Sequence, residues 1–127
     1  MPVRSLNSSV LRWPDAQTVD QAVRQWARDS SLTHPEMIRA GYFGSYARGE
    51  WGVGSDLDLV ILVDRTEEPF ERRAAGWDTT SLPVPADVLV YTLPEWDSLA
   101  AHSPFGRTLS KQAVWVYERE RFSTRPA

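Results

Sequence analysis

The spacing of apolar positions changes several times along the chain, and each change marks an element. Val19, Ala22, Val23, Trp26 and Ala27 recur at helical spacing, while Asp20, Gln21, Arg24 and Arg28 take the opposite face. This pattern predicts an amphipathic helix opening near Pro14 and Asp15. Asp15 competes for the N-cap with a capping box formed by Thr18 and Gln21. The helix should end within residues 30–34, because Pro35 pushes the residue before it out of helical space. Residues 38–43 read as a short strand, and 45–51 as a brief helix broken by Gly52 and Gly54. Residues 57–63 form an almost unbroken β-branched and leucine run, the pattern of a strand buried on both faces. A helix follows over 67–77, weakened by Pro69 and Gly76, then an apolar strand over 88–92. A helix over 94–101 with Pro94 in its first turn and a last strand over 114–117 complete the order. Strands alternating with helices define an α/β-type single domain. Its expected extent is 15–118, between an aperiodic arm over 1–14 and a charged, frayed tail over 119–127.

Length and composition agree with one soluble domain. The chain has 127 residues, 42% hydrophobic and 24% charged, with a formal net charge of -3. That is enough chain for a real core without covalent staples. A sequence pI near 5.3 argues against holding nucleic acid by bulk positive charge. It leaves room for an enzyme that meets a nucleotide through a metal ion. Cysteine is absent, which removes disulfides, thiolate zinc sites and a cysteine nucleophile together. No apolar run follows Arg4, and the stretch 59–63 is too short to span a bilayer. The expected location is the cytoplasm.

The candidate chemistry lies in carboxylates at strand ends. Asp56 and Asp58 stand two apart where an apolar strand begins, so strand geometry points both side chains to one face. Two such carboxylates repel, and each is costly to ionise beside a buried strand unless a cation relieves the conflict. Mg²⁺ takes hard oxygen ligands of this kind. Asp87 precedes the next apolar run, and if the two strands are neighbours it completes a cluster of three acids. Acidic residues also mark strand ends with no further role, so Asp87 alone decides nothing.

Gly44-Ser45 ends a strand and starts a helix, offering backbone N–H groups and a hydroxyl to an anion. The same dipeptide also serves as an ordinary serine cap. Two other phosphate loops fail. Gly44 and Gly49 have P-loop spacing, but Glu50 and Trp51 follow in place of Lys and Ser/Thr, and Gly49, Gly52 and Gly54 do not make a GxGxxG fingerprint.

Taken together, Gly44-Ser45-Tyr46-Ala47-Arg48-Gly49-Glu50 and Ser55-Asp56-Leu57-Asp58-Leu59 resemble the signature of the DNA polymerase β-like nucleotidyltransferase superfamily. The match is nearest to its small stand-alone members, the minimal nucleotidyltransferases. It is dense from Tyr42 to Asp64, and Ala86-Asp87-Val88 and the ending from Ser103 to Tyr117 extend it. The resemblance implies a single α+β domain with helices packed on a mixed β-sheet. It implies that Gly44 and Ser45 hold the β- and γ-phosphates of a nucleoside triphosphate, ATP being the expected one. Asp56, Asp58 and Asp87 would be the catalytic acids and the ligands of two Mg²⁺ ions, with Asp87 helping to deprotonate an acceptor hydroxyl. In-line attack on the α-phosphate would release pyrophosphate.

Arg48 and Ser55 are secondary nucleotide-binding candidates. Arg48 either reaches the triphosphate or pairs with Glu50, and Ser55 is well placed to organise the turn before Asp56. Tyr46 and Trp51 either face a base or pack, and His34 and His102 suit surface or helix-end roles. Family members of this type are often encoded beside a HEPN-type ribonuclease and act as its antitoxin, in some cases by attaching AMP to a tyrosine. That implies a protein partner, with a homodimer as another way to complete the pocket. Two other readings stand beside it. One is a non-catalytic module that neutralises a partner by contact, for which six tryptophans could supply an aromatic interface. The other is transfer to a small molecule such as an aminoglycoside.

Overall fold

The computed structural model describes residues 13–120; residues 1–12 of the expected arm and 121–127 of the expected tail lie outside them. The first helix, α1 (Ala16–Thr33), is capped by Asp15, whose side chain accepts from the Thr18 backbone N–H at 2.8 Å. Asp15 therefore wins over the Thr18–Gln21 box, since it stands one residue before the first helical turn. α1 is followed by β1 (Met37–Phe43), α2 (Ser45–Arg48) and β2 (Leu57–Val63). Next come α3 (Phe70–Arg73), β3 (Ala86–Thr92), α4 (Leu93–His102), α5 (Pro104–Gln112) and β4 (Val114–Glu118).

The four strands make one mixed sheet in the order β3-β2-β1-β4. β1 runs antiparallel to both β2 and β4, and β2 runs parallel to β3. Both faces of β2 are covered by helices, as its continuous apolar run requires. Leu57, Leu59, Ile61 and Val63 pack with Val19, Val23 and Trp26 of α1. Val60 and Leu62 pack on the other face with Trp96 of α4 and Leu109 of α5. The two helices on that second face touch closely at Gly106, where a Cβ would collide with the Leu99 carbonyl.

Four points differ from expectation. α2 stops at Arg48, short of residue 51, because Gly49 turns left-handed at φ +76° and returns its N–H to the Ser45 carbonyl. The single helix expected over 67–77 is a four-residue turn plus a 3₁₀ segment, Ala74–Gly76, started after Pro69. α5 was not expected at all, although its start is marked: Ser103 Oγ accepts from the Gly106 N–H at 3.2 Å, with Pro104 in the first turn. Arg119, placed in the frayed tail, is tied down. Its backbone N–H donates to the Ile38 carbonyl, and its guanidinium bonds Asp64 and the Pro35 carbonyl.

Three of the six tryptophans are buried and three are half-buried. Trp26, Trp77 and Trp96 are buried, and Trp13, Trp51 and Trp115 pack against the two cores.

Candidate active site

Strand register brings the chemistry-bearing residues to one edge of the sheet. Phe43 at the end of β1 lies opposite Asp58 near the start of β2, and Asp58 lies opposite Asp87 near the start of β3. Asp58 shares the alternation of Val60 and Leu62, and Asp87 that of Tyr91, so both carboxylates belong to the face covered by α4 and α5. Gly44 and Ser45 leave β1 at the same edge. A cleft of about 440 Å³ opens there. Its floor holds Asp56, Asp58 and Asp87, one rim holds Gly44, Ser45 and Arg48, and the facing wall is α5 with Phe105, Thr108, Leu109 and Gln112.

Glycine is required at position 44 for two reasons. Its backbone stands at φ +79°, ψ -151°, a region that other residues all but avoid. In addition, a Cβ there would collide with Oδ2 of Asp58. The turn can thus approach the carboxylate only because no side chain intervenes.

Electrostatically, the floor is strained toward negative charge. Burial pushes the Asp58 carboxyl above its ordinary range, Asp87 and then Asp56 push it further, and Arg48 opposes them. Among the described residues no three His, Cys, Asp or Glu side chains converge as a ready-made metal cage.

The remaining expected residues divide. Arg48 lines the cleft while its Nε donates to Glu50 at 2.8 Å in an exposed pair. Ser55 is not part of the cleft wall. Its Oγ accepts from the Gly52 N–H at 2.7 Å and its own N–H returns to the Gly52 carbonyl, which closes the turn that delivers Asp56. Tyr46 is buried, stacks on Trp51 at 5.8 Å and donates to the Pro14 carbonyl. Both aromatics pack. His34 stacks on Trp77 at 3.7 Å, and His102 ends α4. The α5 wall was missed because the helix carrying it was missed; only the Ser103-Pro104 start signal could have revealed it.

A mixed sheet with three acids and a Gly-Ser turn at one edge is the architecture of a single polymerase β-like nucleotidyltransferase domain. Residues 27–115 match the family model described as nucleotidyltransferase domain, and the chain belongs to that family. No curated protein matches the sequence. Solved structures share the fold at low identity. A proposed nucleotidyltransferase from Sulfolobus solfataricus is 19% identical, with a TM-score of 0.61 over 84% of this chain and 86% of that one. A toxin–antitoxin protein solved with AMP-PNP is 18% identical, with a TM-score of 0.54 over 81% and 76%. A mutant of the toxin–antitoxin MntA-HpeT is 15% identical, with a TM-score of 0.52 over 81% and 75%. Among the described residues no helix is long and apolar enough to cross a membrane.

Proposed function

We propose that this protein is an Mg²⁺-dependent nucleotidyltransferase that moves AMP from ATP to a hydroxyl of a protein partner, releasing pyrophosphate. The observation that carries the reading is the meeting of three carboxylates and the Gly44-Ser45 turn in one cleft. AMP-PNP in one structural neighbour and the toxin–antitoxin description of two support ATP and a toxin partner, for which a HEPN-type ribonuclease is the candidate. Such an exchange belongs in the cytoplasm, where ATP is available.

The donor chemistry suits a hard divalent cation: three carboxylates line one cleft, and Asp58, raised by burial and then by its two acidic neighbours, is relieved by positive charge. Asp56, Asp58 and Asp87 would draw together to hold it, with two ions expected. When bound, Mg²⁺ supplies charge neutralisation at the triphosphate and at the oxygens that attack and leave. The chain's own residues do the rest. The Gly44-Ser45 turn holds the outer phosphates through the Ser45 backbone N–H and hydroxyl, with Gly44 shaping the turn, and Arg48 adds a guanidinium from the rim. Asp87 accepts the acceptor's proton as the new P–O bond forms. Ser55 serves the site at one remove, by fixing the turn before Asp56. Most of the rate gain comes from positioning and electrostatics.

Titration calorimetry with ATP, with and without Mg²⁺, on wild type and Asp56→Ala tests the site. Mg²⁺-dependent binding that is lost in the variant is expected; equal binding by both proteins would refute it. For the partner role, Asp56→Ala and Asp58→Ala should abolish neutralisation while partner binding persists. Neutralisation that survives both changes would instead support the contact module. Transfer to a small molecule would appear as labelled aminoglycoside with no labelled protein.

A further inference from the structure

Gln112 ends α5, and β4 begins two residues later. β4 pairs with β1 through Tyr42 opposite Val114. Continuing that antiparallel register by two residues brings Gln112 opposite Gly44. The backbone ladder stops there, because the Gln112 main chain belongs to a helix. The side chain continues it: the Gly44 N–H donates to Gln112 Oε1 at 2.7 Å, across 68 residues of sequence. A backbone N–H can be met only by an acceptor, so this bond also settles which way the amide faces.

Both partners line the cleft. Gly44 is also the residue whose missing side chain lets the turn approach Asp58. Whatever holds the Gly44 peptide therefore sets the separation between the phosphate-holding turn and the carboxylate floor. No other side chain among the described residues bonds to the Gly44 backbone. Thr108, one helical turn earlier, and Phe105 are on the same face of α5, so the bond also couples the turn to the wall across the cleft.

We propose that Gln112 is a positioning residue for the transfer reaction: it fixes the Gly44 peptide so that the Gly44-Ser45 turn accepts the triphosphate. This rests on the nucleotide reading given above. Because it acts on the phosphate cradle, it should matter equally to any triphosphate chain, with or without a nucleoside.

The test is Gln112→Met, which keeps length and removes the acceptor. Three readings are taken on wild type and variant: amide exchange at Gly44, thermal unfolding, and calorimetric binding of MgATP and of magnesium tripolyphosphate. Expected are faster exchange at Gly44, a melting temperature within a few degrees of wild type, and a loss of about tenfold in affinity for both ligands, the worth of one partly buried hydrogen bond. Unchanged affinity for both ligands in a protein whose wild type binds them overturns the inference and leaves the nucleotide reading standing. A loss confined to ATP also overturns it, since the effect would then lie on the nucleoside. Wild type binding neither ligand overturns the nucleotide reading and this role with it. Gln112→Glu restores an acceptor and should keep Gly44 exchange slow even if the Met variant does not fold; fast exchange in the Glu variant overturns the proposal.

Discussion

Three glycines around the cleft separate backbone strain from collision, and Gly44→Ala is the decisive substitution. Gly52 has ordinary backbone geometry and open space where a Cβ would be, so Gly52→Ala should change stability by no more than about 0.5 kcal/mol. Gly49 stands at φ +76° with the same open space, so Gly49→Ala should cost only left-handed strain, about 1 kcal/mol. Gly44 adds to its own strain a collision with the Asp58 carboxylate, and Gly44→Ala should cost about 2–3 kcal/mol. Urea unfolding measures all three. With a slope of about 1.5 kcal/mol/M, the Gly44→Ala midpoint should fall by roughly 1.3–2 M. The collision can then be isolated by a double-mutant cycle with Asp58→Ala. Removing the carboxylate leaves Asp58 Cβ at 3.5 Å from the new methyl, an ordinary contact. In that background Gly44→Ala should cost only its own backbone strain, about 1–2 kcal/mol. If Gly44→Ala alone costs no more than Gly49→Ala, or if the cycle shows no coupling, the close approach of turn and carboxylate is refuted.

Other outcomes follow from the same geometry. Asp58→Asn should abolish transfer yet stabilise the fold at neutral pH, because the native state binds the Asp58 proton more tightly than the unfolded chain does. The gain should shrink as pH falls toward about 4, where the unfolded carboxyl is protonated too; paired denaturation curves across pH would expose a gain that stays constant. Glu95 has the opposite sign. Hydrogen bonding to Arg73 is the largest of the effects that hold its carboxyl down at about 2, and it closes the Thr92 capping box. Glu95→Ala should therefore cost about 1 kcal/mol at pH 7, with the difference from wild type lost as pH drops from about 4.3 toward 2. Gly106→Ala must part α4 from α5 at the Leu99 carbonyl. It should cost about 2 kcal/mol, roughly 6–10 °C in Tm, and should weaken ATP binding as the α5 wall shifts; an unchanged Tm would contradict the packing.

Local pattern carried much of this protein. The period of apolar residues located α1 and β2 closely, since a stripe every three to four residues and an unbroken β-branched run each suit one secondary structure. Asp56, Asp58 and the Gly44-Ser45 pair were legible because their meaning depends on near neighbours: two residues apart on a strand means one face, and a glycine after a strand means a turn. Asp87 could be named but not joined to them, because the parallel pairing of β3 with β2 is decided by packing among distant segments. The roles of Ser55 and the tryptophans were open for the same reason, since a turn bond and a buried ring depend on what surrounds them. α5 escaped notice because Gly106 weakens its local helical signal, while its benefit comes from close contact with Leu99 across the helix pair. Gln112 is the extreme case. Its own residue type suggests no function, and its role exists only because the register of β1 and β4 brings it opposite Gly44.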